Sequence, residues 1–298
     1  VFSYNRTASN EDMERLANEL PAGTDCIVGV GGGMVLDTAK GTADLLKIDV
    51  VTIPTVLGTC AAFTPLSAVY HPDHTFKAVD YYERAVYLCL MDLDLLIEAP
   101  EAYLMGGIGD TLAKWYEAQG IVEHVSGDLP TMAEVGLSTA KVTQEVLLRD
   151  TADAIASLEK GEVTPAFKRV AESIVAVAGT VGGFAGEYGR MAGAHAVHNG
   201  MSVVSETHDF EHGVKVAYGV LVQLVAANKM DDVATLLPFY RDNGFPYKLS
   251  AFNVTSSLEG KMRQVAEFAA SDKETFNLAV PGVTTEQVFQ AMQYLEQV

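Results

Sequence analysis

Four of the chain's seven histidines fall between positions 195 and 212, in AHAVHNGMSVVSETHDFEHGVK. A lone histidine on an apolar face is usually a satisfied core residue, and a cluster this dense weighs against that reading. His195 and His198 are three apart, so on a helix they share a face. His212 precedes Gly213 and a further helical run. Upstream, GGIGDTLAKWYEA (106–118) puts Asp110 where it can cap a helix. Capping alone would explain Asp110. A carboxylate with two histidines is also the ligand set of a catalytic metal site, which uses three protein ligands and keeps a position open for water or substrate. Such a set suits zinc or iron(II), and spacing does not choose between them.

A second chemistry lies in GVGGGMVLDTAKG (29–41), where three glycines stand between a strand-like run and a helical one. Glycines there let the chain turn tightly and let another group approach the amides. The helix that follows offers unpaired N–H groups and a positive dipole end, a place for an anion such as a pyrophosphate. A plain strand-to-helix turn is the competing reading, and the spacing is not that of the common dinucleotide fingerprint. The next strand runs into PTVLGTCAAFTPLSAVY (54–70). Thr55, Thr59, Thr64 and Ser67 crowd its carboxyl end, where open α/β sheets bind ligands, and can hydrogen-bond phosphates or an amide.

These groups need elements to hold them. VFSYN (1–5) reads as a strand and 10–20 as a helix capped by Ser9 or Asn10. DCIVGV reads as a buried strand, 34–47 as a helix, and DVVTIPT and 85–92 as strands. Pro65, His71, Pro72 and Asp73 punctuate a longer loop or hairpin. Strands and helices taking turns predict a parallel, doubly wound sheet. From Pro100 onward apolar residues recur at three and four spacings and strand signals nearly vanish. The expected fold is therefore an α/β domain over 1–99, followed by an all-α domain over 100–298.

With 298 residues, 49% of them apolar, the chain can bury a sizeable core. A formal charge of −19 repels phosphate backbones and anionic bilayers, so nucleic acid and membrane are not expected partners. No apolar run reaches the roughly 18 residues a membrane span needs. The start does not read as a basic-then-apolar leader. Cys26, Cys60 and Cys89 are odd in number and scattered, so buried thiols in a reducing cytoplasm are expected rather than disulfides.

GGGMVLDTAK, PTVLGTCAAFTPLSAVY, GIGDTLAKWYEA and HAVHNG…EHGVKVAYG, in that order, resemble the iron-containing (group III) alcohol dehydrogenases, in their glycerol-dehydrogenase-like branch. The resemblance runs the length of the chain. It implies a nucleotide-binding α/β domain and a helical domain, with NAD or NADP and one divalent metal, zinc or iron, in the cleft between them. It implies Asp110, His195 and His212 as metal ligands and Gly31, Gly32 and Gly33 as the pyrophosphate cradle. Thr55, Thr64, Leu66 and Tyr70 would line the nicotinamide side, and His198 would lie beside the metal as a proton carrier. The implied chemistry is reversible hydride transfer between nicotinamide and a small alcohol or carbonyl compound. A homo-oligomer with a small-molecule substrate is expected.

Two departures bear on the substrate. Where glycerol dehydrogenases hold an Asp facing the substrate hydroxyls, this chain has Cys60. The stretch TCAAFTPLS with GIGDTLAKWYEA looks more like the 2-hydroxycarboxylate dehydrogenases, and Lys114, where the broader family can hold a further metal-ligating histidine, would either hold the carboxylate of a 2-oxo acid or pack its stem with its head in solvent. Family members also carry further strands before this start, with the residues that tell NAD from NADP, so a partial nucleotide domain is expected. The alternatives are a glycerol dehydrogenase, a lyase resembling dehydroquinate synthase, and a non-catalytic binding protein if the shortened start is natural.

Overall fold

The computed structural model describes residues 1–298. Ser9 opens helix α1 (Asn10–Glu19), its hydroxyl accepting the Asp12 N–H at 3.3 Å. Strand β1 (Cys26–Gly31) then pairs in parallel with β2 (Asp49–Pro54), Cys26 opposite Asp49 through Gly31 opposite Pro54. Parallel strands need a crossover, supplied here by helix α2 (Gly33–Leu46). Gly29 lets this helix lie close: a Cβ there would come 2.7 Å from that of Ala39. After β2 come a short 3-10 turn (Cys60–Ala62) and an antiparallel hairpin, β3 (Leu66–Tyr70) and β4 (Phe76–Tyr81), bulged at Val69/Tyr70. The hairpin answers the turn residues at 71–73.

The hairpin and the 60–66 loop hang on α2 through one buried ion pair. Lys40 Nζ lies 2.9 Å from Asp37 Oδ1. It also donates to the carbonyls of Ala61 (2.7 Å), Thr64 (3.2 Å) and Leu66. Asp37 Oδ2 accepts the Ala68 N–H at 3.2 Å. Burial pushes the Asp37 carboxyl upward, and the Lys40 ammonium opposes it.

Strand β5 (Leu88–Cys89) completes a three-stranded sheet of order β1-β2-β5. It is far shorter than the expected 85–92, because Asp92 turns to cap helix α3 (Leu93–Leu96) through the Asp94 and Leu95 N–H groups. Residues 1–5 form no strand and pair with no other strand. Nor is β1 buried throughout. Its second edge pairs with nothing, and Val28 and Val30 are 56% and 53% exposed. The cysteines are free thiols, half-buried rather than buried.

Beyond Pro100 the chain is helical: α4 (Glu101–Val122), α5 (Thr131–Lys160), α6 (Pro165–Glu172), a π turn (Ser173–Val177) and α7 (Ala178–Ala185). Then follow α8 (Gly193–Met201), α9 (His212–Ala226), α10 (Met230–Asp242), α11 (Leu258–Ala269), α12 (Phe276–Ala279) and α13 (Thr285–Gln297). No helix is long and apolar enough to cross a membrane. The main core lies here, around Tyr116, Phe167, Tyr218, Tyr240 and Phe252, while the sheet side contributes a small cluster of Ala39, Ala43 and Val50.

Asp110 is not a cap. Pro100 caps α4, and Asp110 sits in its middle. Gly106, Gly107 and Gly109 look like breakers in the sequence, yet they serve packing. A Cβ on Gly109 would run into the Gly213 carbonyl, and one on Gly213 into the Gly106 carbonyl. The backbones of α4 and α9 therefore touch, and that contact brings His212 to Asp110.

Candidate active site

Three helices each deliver one side chain to the same point: Asp110 from mid-α4, His195 from the first turn of α8, and His212 as the first residue of α9. Asp110 Oδ1 lies 3.4 Å from His195 Nε2 and 3.3 Å from His212 Nε2. One ligand atom from each can be chosen so that all lie within 4.8 Å of one another. Asp110 and His195 are buried and His212 is exposed, which leaves an approach from one side. The donor set fits a divalent cation with an open position.

Further polar groups orient the ligands. Glu117, two turns along α4 from Asp110, is fully buried. Its Oε2 takes His195 Nδ1 at 2.8 Å, while Oε1 accepts the N–H groups of Ala192 (2.7 Å) and His195 (3.0 Å). His195 Nδ1 thereby donates to Glu117 and Nε2 faces Asp110. Burial pushes His195 down, but the Glu117 charge and the Asp110 and Glu117 contacts outweigh it and hold it at about 9. On the other side runs a chain of polar contacts. Asn199 donates to Glu274 (3.0 Å), which turns its amide oxygen to His198 Nδ1 (3.0 Å). His198 Nε2 then accepts from His212 Nδ1 at 3.1 Å. Burial and the neighbouring His212 and His195 keep His198 well below the usual imidazole range, so it is neutral and can accept. His212 Nε2 is left facing Asp110.

Lys114 lies one turn beyond Asp110 on α4. Lys40, Lys47, Lys168, Lys229 and Lys261 each reach a carboxylate; Lys114 does not. Burial works against its charge, and Asp110, Cys60 and Glu117 more than restore it, so the ammonium persists. Cys60, half-buried at the start of its 3-10 turn, is pushed up by burial, countered by Lys114 and reinforced by Asp110.

At the glycine turn, β1 ends at Gly31 and Gly32 caps α2 without any side-chain acceptor, so the first-turn N–H groups of α2 stay open to an anion. Gly32 and Gly33 face the 56–61 loop: their Cβ positions would lie 3.4 Å from Val56 and 3.7 Å from Ala61. Thr55 donates its N–H to the Gly31 carbonyl at 3.1 Å, which joins the two motifs. The Thr64 hydroxyl is buried without a partner. Leu66 is half-buried at the start of β3. Tyr70, at the far end of that strand, makes its contacts with Ala8 and, edge to face, Phe76.

Residues 2–92 match the family model described as iron-containing alcohol dehydrogenase. Hydroxycarboxylate dehydrogenase A of Escherichia coli (strain K12) is 34% identical over 97% of this chain and 79% of its own length. A glycerol dehydrogenase of Pseudomonas putida is 34% identical over all of this chain and 81% of its own.

The chain belongs to the iron-containing alcohol dehydrogenase family.

The fold agrees: the crystal structure of glycerol dehydrogenase from Schizosaccharomyces pombe superposes with a TM-score of 0.89 at 28% identity, covering 99% of this chain and 75% of that one. As a member of the iron-containing alcohol dehydrogenases the protein is an oxidoreductase, and membership implies a nicotinamide cofactor and a divalent metal. Glu117, Asn199 and Glu274 escaped the reading of the sequence. Only Glu117 carried a signal there, lying seven residues after Asp110 and so on the same face of one helix.

Proposed function

We propose that this enzyme is a metal-dependent, NAD(P)-linked dehydrogenase interconverting a short 2-hydroxy acid and its 2-oxo acid. Asp110, His195 and His212 would hold the metal, with residues 1–99 serving the nucleotide and 100–298 the metal. The observation that carries the reading is the unpaired Lys114 ammonium one turn from Asp110. When bound, the metal supplies Lewis acidity at the substrate oxygen. Lys114 would hold the substrate carboxylate. Arg190 adds a second cation on that side; it has no carboxylate partner, and its guanidinium lies 4.3 Å from the centre of the Tyr81 ring. Gly31, Gly32 and Gly33, with the open first turn of α2, would take the pyrophosphate. Thr55 and Leu66 would flank the nicotinamide, with Tyr70 further along β3. Thr64, with a spare buried hydroxyl, would bond the carboxamide. His198 we assign to orienting His212 rather than to carrying a substrate proton, since its Nε2 already faces His212. The relatives include both a hydroxycarboxylate dehydrogenase and glycerol dehydrogenases; Cys60, a thiol where a carboxylate would suit a polyol, favours the acid.

The test is a turnover panel of short 2-oxo acids, glycerol and dihydroxyacetone with both nicotinamide cofactors, on zinc- and iron-loaded protein. Reduction of 2-oxo acids in preference to dihydroxyacetone is expected, and the reverse preference would replace the acid with the polyol reading. In parallel, His212→Ala should lose stoichiometric metal and turnover together. Parent-like metal content in that variant would overturn the ligand set.

A further inference from the structure

The amide of Gln223 touches all three helices that carry the metal-site residues. Gln223 lies on α9 about three turns beyond His212, on the same face. Its side chain is buried, the residue being 2% exposed. Its Nε2 donates to the Tyr116 carbonyl of α4 at 2.9 Å, and its Oε1 accepts the Ala194 N–H of α8, immediately before His195, at 3.1 Å. Two glycines make the room. A Cβ on Gly193 would lie 2.7 Å from Gln223 Oε1, and one on Gly120 would lie 3.2 Å from Nε2.

The N-terminus of α8 explains why such a contact matters. Ala192 caps the helix and offers no side-chain acceptor for its first N–H groups. Those donors are met from outside: Ala192 and His195 by Glu117 of α4, and Ala194 by Gln223 of α9. The helix that presents His195 is thus capped by the two helices that present Asp110 and His212. Glu117 also touches His195 directly; Gln223 touches no ligand. Its amide serves only to hold the three helix backbones in register.

We propose that Gln223 is a positioning residue that sets the spacing of Asp110, His195 and His212 and so tunes divalent-metal affinity. The inference rests on the reading of those three as metal ligands. A side chain that supports ligands without binding metal typically changes affinity by about 10–100-fold when removed.

The experiment compares Gln223→Met, of similar length without the hydrogen bonds, with Gln144→Met. Gln144 is a suitable control: it is buried and donates from α5 to the same Tyr116, through the hydroxyl at 2.7 Å, but spans no second ligand helix. Zinc affinity is read by chelator competition, ligand geometry by the visible absorption of the cobalt(II)-loaded protein, and stability by thermal unfolding. The expected result is zinc affinity weakened about 10–100-fold and an altered cobalt spectrum in Gln223→Met. Gln144→Met should lose stability yet bind zinc as the parent does. Parent-like zinc affinity in Gln223→Met, or an equal loss in Gln144→Met, would overturn the proposal. If Gln223→Met does not fold, Gly193→Ala displaces the same amide and should show the same loss, and unchanged affinity there would overturn the proposal equally. A parent protein that bound no zinc or cobalt would bring down the ligand set itself, and the role of Gln223 with it.

Discussion

Glu117 Oε2 and His195 Nδ1 lie 2.8 Å apart, both buried, with the opposite edge of the imidazole turned to Asp110. The carboxylate thereby fixes Nδ1 as the nitrogen that donates to it and raises the electron density at Nε2. Glu117→Gln keeps the shape but removes the charge and offers a donor where the ring now donates. Metal affinity should fall about 10–100-fold, as for other carboxylates that orient ligating histidines. Chelator competition measures it; affinity equal to the parent's would show that Glu117 only caps α8.

A separate ion-pair cluster ties α5 to α6. Asp150 accepts from Arg169 at 2.7 and 2.8 Å and from Arg149 at 3.2 and 2.8 Å. Hydrogen bonds from Arg169 and then Arg149, against some desolvation, hold the Asp150 carboxyl far below the usual carboxylate range. A depressed folded value means stability that is present above the unfolded value, about 3.9, and lost as pH falls toward the folded one. Both arginines are substantially exposed, so water and salt screen the cluster to about 1 kcal/mol. Asp150→Asn should lower Tm at pH 7 by about 1–2 °C. The gap from the parent should narrow as the pH drops below about 4. Thermal unfolding at both pH values checks this, and a gap that widened in acid would contradict the assignment.

Residue type drew attention to Asp110 and to the histidines between 195 and 212, the resemblance to the iron-containing alcohol dehydrogenases singled out Asp110, His195 and His212, and the 3.6-residue period made the helices legible. The orienting groups were not. Whether Gln223 meets Ala194, or Glu117 meets His195, depends on how α4, α8 and α9 cross, and no local pattern encodes that angle. The cap expected at Asp110 failed for the same reason: Gly109 lies mid-helix where the backbone of α9 meets α4, and Gly107 where the Leu57 carbonyl does. Residues 1–5 misled differently. A strand also needs ladder hydrogen bonds to a neighbour, and residues 1–5 make none to β1 although its outer edge is unpaired.

The Lys114 charge offsets part of the upward push that burial gives the Cys60 thiol. A thiol is a weaker partner for vicinal hydroxyls than a carboxylate, and it adds no charge to repel an acid. Cys60→Asp should therefore raise KM for a 2-oxo acid and lower it for dihydroxyacetone. Steady-state kinetics on both substrates decide the point, and undiminished 2-oxo acid turnover would remove Cys60 from specificity.

Lys114 offers the sharpest test of substrate class. It follows Asp110 by one helical turn, so the two side chains leave the same face of α4. Its ammonium stays charged despite partial burial because Asp110, Cys60 and Glu117 outweigh the loss of solvent. Half-buried and without a carboxylate partner, the ammonium is open to a ligand that completes it. A substrate carboxylate would do so, with a charge-assisted contact worth about 1.5–3 kcal/mol. Lys114→Met keeps the aliphatic stem and removes the charge. KM for a 2-oxo acid should then rise about ten-fold or more, since each 1.4 kcal/mol is a factor of ten. An uncharged aldehyde of similar size should be nearly unaffected. If both substrates weaken together, the side chain supports the metal ligands instead; if neither changes, its stem merely packs while its head meets water.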